Sequence, residues 1–317
     1  MPDSLATRTA TAPEEQQEDV RAEVPAQSPS PTPSISVTPP AASSKGFLNR
    51  INPLKFFQRE SPDNLVRNGR ELEKNRNFAQ ATVAFNRALA LDPDCAEAYE
   101  GLGDVLAKKG GRANVEAAVL QYQEASKRDP FDDRVYAALA RVFDALGKRK
   151  EAALEKKKLV VARTLRADPS NPVANNNMGI MLLQLGWVPA AIEHFNRSMK
   201  SDPRYDTAVR NLAVTHYKIA SEAKDEAARE LNIEKAKGYI TMALDIAESP
   251  LTLLAQARLM ILEEHYEEAL KACERVEGID PGMKEVYGLK KAALLKLNRL
   301  EEANKAHETW RFLNSHN

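Results

Sequence analysis

Between residues 172 and 205, small and apolar residues recur every three or four positions in two successive runs. This spacing places each run on one face of a helix and predicts two amphipathic helices. Gly186 and Pro189 predict the turn between them. The runs are Met178, Gly179 and Leu182 in the first helix and Ala191, Phe195 and Ser198 in the second. Because each helix carries one apolar stripe, the pair can bury both stripes only by stacking on similar pairs.

The same arrangement recurs along the chain in a 34-residue frame, with small or apolar residues at places 4, 8, 11, 20, 24 and 27 and proline at place 32. The first unit fills all seven places with Leu65, Gly69, Leu72, Ala81, Phe85, Ala88 and Pro93. These residues and spacings resemble the tetratricopeptide repeat family. The predicted units are 62–95, 96–132, 133–171, 172–205, 206–249, 250–283 and 284–317.

The resemblance covers residues 62–317 and implies an all-α fold. In that fold about seven helix pairs stack into an α-solenoid that winds as a right-handed superhelix. The composition favours the same class, because the chain has few glycines and lacks the alternating β-branched runs of a sheet protein.

Two units depart from the frame. In unit 133–171, Lys156 stands where an aromatic residue is expected and Pro169 comes late, so the second helix is predicted to be overlong or out of register. Unit 206–249 carries about eleven extra residues at 221–231, and their strong helix formers predict longer helices rather than a loop.

The first 61 residues fall into two segments. Residues 1–44 contain 8 prolines and 12 Ser or Thr and are predicted to be a disordered, acidic arm. Residues 45–61 break that composition, because apolar side chains alternate there with basic ones. Three interpretations are open for this segment: an N-terminal cap on the first repeat, a short motif for a partner, or, least favoured, a membrane-surface contact through residues 45–60.

The charge of the chain is balanced, since Lys plus Arg and Asp plus Glu both number 45. A net charge of zero gives no general attraction to nucleic acid or to an anionic membrane. Residues 148–166 form a basic run, but no aromatic side chains for base stacking lie near it, so nucleic acid is an unlikely partner. The absence of a signal peptide and of a transmembrane segment predicts a cytoplasmic location.

No catalytic or cofactor-binding motif is found. The phosphate-binding GxxxxGK[ST] and GxGxxG patterns are absent, as are HExxH and GxSxG. Cys95 and Cys273 lie far apart, and no two histidines have the spacing of metal ligands. The sequence therefore predicts a protein that is not an enzyme and that holds no cofactor or metal.

The resemblance also implies that the first helix of each pair lines a concave groove, with places 2, 5, 6, 9, 12 and 13 facing it. In the first three units these places carry mixed charges, among them Arg70, Asp104 and Arg134. In the next three units they combine apolar and hydrogen-bonding side chains, which favours peptide binding. The predicted groove residues are Asn176, Asn177, Ile180, Leu183, Arg210, Asn211, Val214, Tyr217, Leu254 and Arg258.

Asn177 and Asn211 both occupy place 6 and could form successive rungs that pair with the backbone of an extended peptide. The alternative is that residues 175–177 serve only as polar residues at a helix start. The sequence thus predicts an interaction scaffold for a protein or peptide partner. The alternative from another class is a structural protein that associates with itself through residues 45–60 or the ends of the solenoid.

Overall fold

The computed structural model describes residues 60–315. The predicted disordered arm, residues 1–44, lies outside the described residues, as does all but the end of segment 45–61. Within the described part, all regular structure is helical and no strand occurs. The predicted all-α class is therefore confirmed.

Fourteen helices follow one another in residues 60–315. They are α1 Pro62–Lys74, α2 Phe78–Leu91, α3 Ala96–Lys109, α4 Arg112–Arg128, α5 Asp133–Ala145, α6 Arg149–Ala167, α7 Pro172–Gln184, α8 Val188–Ser201, α9 Asp206–Glu222, α10 Glu226–Ile246, α11 Pro250–Leu262, α12 Tyr266–Ile279, α13 Lys284–Lys296 and α14 Leu300–Ser315. Each odd-numbered helix packs most extensively against the even-numbered helix that follows it. The fold is thus a row of seven helix pairs, each of which also packs against the next pair.

The two irregular units have long second helices. Helix α6 has 19 residues and α10 has 21, whereas α2 and α8 each have 14. Residues 221–231 extend the ends of α9 and α10 and leave only residues 223–225 between them. Lys156 does not enter the core at the place of the expected aromatic residue; its ammonium group forms an ion pair with Asp144 at 2.8 Å.

Five Asp-Pro pairs end second helices and start the connection to the next unit. In each pair the aspartate is the first residue after the helix, and its carboxylate accepts the backbone N–H two residues further on at 2.9–3.0 Å. The proline that follows cannot continue the helix. The five aspartates are Asp92, Asp129, Asp168, Asp202 and Asp280. This repeated turn sets the direction in which each new pair begins.

The core depends on an aromatic ring of a second helix lying against a first helix that lacks a side chain at that point. Phe195 on α8 is fully buried, and a Cβ atom added to Gly179 on α7 would lie 2.5 Å from its ring. A Cβ atom added to Gly69 or to Gly101 would likewise overlap the ring of Phe85 on α2. Because Gly69 belongs to α1 and Gly101 to α3, this one ring joins two successive units.

Two histidines are buried in the second half of the solenoid, and each is hydrogen-bonded to an asparagine. His194 Nδ1 lies 3.0 Å from Asn175 Oδ1, and His216 Nδ1 lies 2.8 Å from Asn232 Oδ1. An imidazole nitrogen that bonds to an amide oxygen must carry a proton, which fixes the tautomer of each neutral ring. Burial is the main cause that lowers the pKa of both histidines.

We expect Gly179→Ala to destabilise the protein, because the added methyl group would overlap Phe195. Overpacking of this kind costs about 1–3 kcal/mol. Gly238→Ala on α10 is the matched control, because nothing lies within 4 Å of the added atom. Alanine there should stabilise the helix by about 0.5–1 kcal/mol. Urea unfolding followed by circular dichroism measures both effects, and changes of equal sign would contradict this account of the packing.

We also expect the free energy of unfolding to fall as the pH is lowered from about 7 to 5. An unfolded histidine gains a proton near pH 6.5, whereas burial keeps His194 and His216 neutral in the folded protein to lower pH. Arg197 near His194 and Lys235 near His216 lower the two pKa values further, while Glu193 and the bond to Asn232 oppose the shift.

The double variant His194→Gln and His216→Gln should therefore lose less stability than the wild type over this pH range. Urea midpoints measured at several pH values give the comparison. Carboxylates titrate in both proteins, so only the difference between them reports on the histidines. Identical pH dependence would show that these two rings do not control it.

Candidate functional site

The ten residues predicted to line the groove lie on three first helices, α7, α9 and α11. Seven of them are partly buried, namely Asn177, Leu183, Arg210, Asn211, Val214, Tyr217 and Arg258. Ile180 is the most accessible, with 38% of its surface exposed. These eight side chains combine aliphatic, aromatic, amide and guanidinium groups on one set of helices.

Asn176 and Leu254 differ from the other eight, because only 1% and 4% of their surfaces are exposed. Both occupy place 5 of their units, and both point into contacts within the fold instead of toward a ligand. The Asn176 side-chain oxygen accepts a hydrogen bond from Asn211 Nδ2 at 2.8 Å, and Leu254 belongs to the apolar core around α11, α12 and α13. In this structure the two residues support the helices of the groove.

Three asparagines at or near the start of α7 have separate roles. Asn171, before the helix, caps it by accepting the Ala174 N–H at 2.9 Å. Asn175 donates to the carbonyls of Pro169 and Asn171 and bonds to His194, so it is structural. Asn176 links α7 to α9 through Asn211.

The two asparagines of the predicted ladder remain partly accessible, but they are not equivalent. Asn177 receives a weak hydrogen bond of 3.4 Å from Asn176. Asn211 uses one of its amide protons for Asn176 and keeps its side-chain oxygen and second proton for another partner. Asn211 is thus held in place by the fold and could present a fixed amide to a peptide backbone.

The two arginines of the predicted groove have different surroundings. Arg210 is largely buried and lies 3.5 Å from Asp206 on its own helix. Arg258 has no ion-pair or hydrogen-bond partner in residues 60–315. A guanidinium that is partly buried and unpaired offers five donors to a carboxylate or a backbone carbonyl.

Two aliphatic residues at place 2 add to the accessible surface and were missed in the sequence analysis. Val173 on α7 and Leu251 on α11 each expose about half of their surface. The periodicity already assigned place 2 to the groove, so the signal was present in the frame. What the frame could not show is that in α7 and α11 the side chain at place 2 is exposed while the side chain at place 5 is buried.

The first helices of the first three units carry a network of ion pairs. Arg70 on α1 bonds to Glu100 and to Asp104 on α3, both at 2.5 Å. Arg134 on α5 lies 3.4 Å from the same Glu100. Asp104 also accepts the hydroxyl of Tyr122 at 2.6 Å. The charges at these places therefore bind one another and connect three successive first helices.

Burial affects the ionisation of Glu100 in this network. It raises the pKa of Glu100, although the nearby Arg70 and Arg134 act in the opposite direction. The carboxylate of Glu100 is poorly solvated, so its ionised form depends on the nearby positive charge of Arg70. The network stabilises the stacking of α1, α3 and α5 and leaves few uncommitted charges for a ligand.

The basic run on α6 is partly neutralised by acidic residues. Lys156 pairs with Asp144, Lys158 with Glu155, and both Arg163 and Arg166 with Asp133. These pairs reduce the positive field that a phosphate-rich polymer would need.

The part of the chain that the structure describes contains neither a candidate metal site nor a candidate membrane-spanning helix. No group of three or more His, Cys, Asp or Glu is arranged to hold a metal ion there. None of the described helices combines the length and the apolar character needed to cross a bilayer.

Comparison with known families agrees with the helix-pair architecture. Residues 66–113, which include most of α1, all of α2 and α3 and the start of α4, match the family model for the tetratricopeptide repeat. This stretch of the chain is thus similar to the tetratricopeptide repeat family. The match contains Gly69, Phe85 and Gly101, the three residues that join the first unit to the second.

A curated relative of this repeat protein is trafficking protein particle complex subunit 12 of Mus musculus. The two are 27% identical over 125 residues, which is 38% of this chain and 15% of the mouse protein. The matched region thus spans less than one sixth of the relative's length.

Three solved structures are similar in their helix arrangement. Pseudomonas aeruginosa pilF is 20% identical with a TM-score of 0.33, and the match covers 72% of this chain and 96% of pilF. A tetratricopeptide repeat protein from Parabacteroides merdae is 14% identical with a TM-score of 0.41, covering 80% and 93%. YrrB, described as having an unusual peptide-binding site, is 23% identical with a TM-score of 0.28, covering 61% and 90%.

We expect Arg70→Ala to destabilise the stacked helix pairs, because it leaves the buried carboxylate of Glu100 without its nearest cation. Removing one partner of such a pair costs about 2–4 kcal/mol, since Arg70 itself keeps partial contact with water. Arg87→Ala is the matched control, because Arg87 and its partner Glu60 are both exposed, and an exposed pair contributes about 0–1 kcal/mol. Thermal unfolding of both variants tests this. Equal losses would mean that burial of the network is unimportant.

Proposed function

We propose that this chain is a protein-interaction scaffold that holds an extended peptide along α7, α9 and α11. The observation that carries the proposal is the contrast between the two halves of the row of first helices. In α1, α3 and α5, Arg70, Glu100, Asp104 and Arg134 are joined by ion pairs. In α7, α9 and α11, accessible apolar groups lie beside polar groups that keep free bonding capacity.

The chemistry of the second half suits an extended polypeptide. Ile180 and Val214 both occupy place 9 and offer an aliphatic surface on adjacent first helices. Asn211 can donate to and accept from a peptide backbone, while Arg258 can bind a carbonyl or a carboxylate. Apolar anchors flanked by oriented hydrogen-bonding groups are typical of peptide-binding surfaces.

The partial relative supports the same class of function. Its name describes it as a subunit of a complex, and a role in an assembly fits a scaffold. A cytoplasmic location is likewise proposed from the sequence alone. The alternative of self-association through residues 45–60 concerns a segment that lies almost entirely outside the described residues.

The proposal can be tested by selecting twelve-residue peptides on the full chain from a random phage library and measuring their affinities by fluorescence anisotropy. We expect Arg210→Ala combined with Asn211→Ala to weaken binding at least tenfold, because a hydrogen bond to a charged group contributes about 1.5–3 kcal/mol. Ile180→Ala should weaken binding several-fold through the loss of apolar contact.

Val83→Ala is the matched control for Ile180→Ala, because Val83 is an exposed aliphatic residue on the second helix α2. It should leave the affinity unchanged. Circular dichroism must show that every variant keeps its helical content. If the affinity of the peptides is insensitive to the α7 and α9 substitutions, the binding surface lies elsewhere. A failure to select any peptide would reject the proposed function.

A further inference from the structure

A cleft of about 470 Å³ lies between α5 and α6, in the unit that precedes the proposed peptide site. Its surface is formed in part by Ala137 and Ala140 on α5 and Leu159 on α6. The small side chains of the two alanines leave space in the cleft, and α6 is five residues longer than α2 or α8.

Four cationic and two anionic side chains line the cleft, and all but one of the cations are committed to acidic partners. Lys156 pairs with Asp144 at 2.8 Å toward one end, and Arg163 pairs with Asp133 at 3.0 Å toward the other. Arg134 pairs with Asp132 at 2.7 Å. Arg141 lies between Asp133 and Asp144 along α5, is exposed, and has no ion-pair partner in residues 60–315.

The two carboxylates of the cleft are thus occupied, while one guanidinium is free. An arginine fork binds a carboxylate through two parallel hydrogen bonds, and this geometry makes it selective for that group. The small alanine side chains beside Arg141 leave room for the methylene groups of an acidic residue. A basic ligand would meet an excess of positive charge.

We propose that this cleft receives an aspartate or glutamate side chain of the bound peptide and that Arg141 binds its carboxylate. This inference rests on the proposed function, since it extends the peptide path by one unit and names a chemical requirement of the peptide. The acidic residue of the peptide is therefore distinct from the apolar residue that contacts Val214 on α9.

The test uses the full chain and the same twelve-residue phage library, selected in parallel on the wild type, Arg141→Gln and Arg204→Gln. Arg204 is an exposed arginine in a turn, far along the chain from the cleft, and serves as the matched control. We expect wild type and Arg204→Gln to enrich peptides that contain an Asp or Glu residue as well as an apolar residue. Arg141→Gln should lose the acidic preference and keep the apolar one.

Synthetic copies of a selected peptide give the affinities. Replacing its acidic residue by the corresponding amide should weaken binding about tenfold to the wild type and less than twofold to Arg141→Gln. Arg141→Lys should bind with intermediate affinity, because lysine keeps the charge without the fork. Amidated and free C-terminal forms should bind equally, since the proposal concerns a side-chain carboxylate.

The outcomes separate this inference from the function on which it rests. Selection of peptides without an acidic preference, or with one that persists in Arg141→Gln, would overturn the role of the cleft while leaving a peptide-binding scaffold. A strong dependence on the free C-terminus would also overturn it, because the carboxylate would come from the chain end. If no peptide is selected at all, the proposed function itself fails.

Discussion

The fit of an aromatic ring against a residue without a side chain is the contact on which the stacking depends. A helix pair with one apolar stripe on each helix cannot bury both stripes alone. Phe85 shows how neighbouring pairs complete the burial, because its ring lies against Gly69 in its own unit and Gly101 in the next. A β-carbon at either glycine would overlap the ring, so each such site requires glycine for the two helices to pack this closely.

This constraint decides which surfaces remain for recognition. Once second helices and glycines determine the spacing, side chains at place 5 of the first helices lie at the boundary with the neighbouring unit. Asn176 meets Asn211 there, and Glu100 meets Arg70 and Arg134. Recognition is left to places such as 2 and 9, whose residues Val173, Ile180 and Leu251 are the accessible aliphatic ones on α7 and α11.

The sequence was sufficient to predict the fold but not the exposure of each groove residue. Helix pairs, glycine positions and Asp-Pro turns are local features with strong periodicity, so residue spacing alone predicts them. Whether a side chain at place 5 faces a ligand depends on the rotation of the next helix, which no local pattern contains. Asn176 and Leu254 were assigned to the groove for this reason, and the structure shows both buried.

From the sequence alone, the charges of the first three units form one mixed surface. Their pairing joins residues about 30 positions apart, for example Arg70 with Glu100. The frame places such residues on adjacent helices but does not say which charges meet. Only the side-chain geometry separates Arg70, which is paired within the fold, from Arg141, which is not.

That distinction has a general physical basis in repeat proteins. A regular repeat presents the same surface in every unit, and selectivity requires a departure from it. The overlong α6 is such a departure, and the cleft between it and α5 contains the unpaired guanidinium of Arg141.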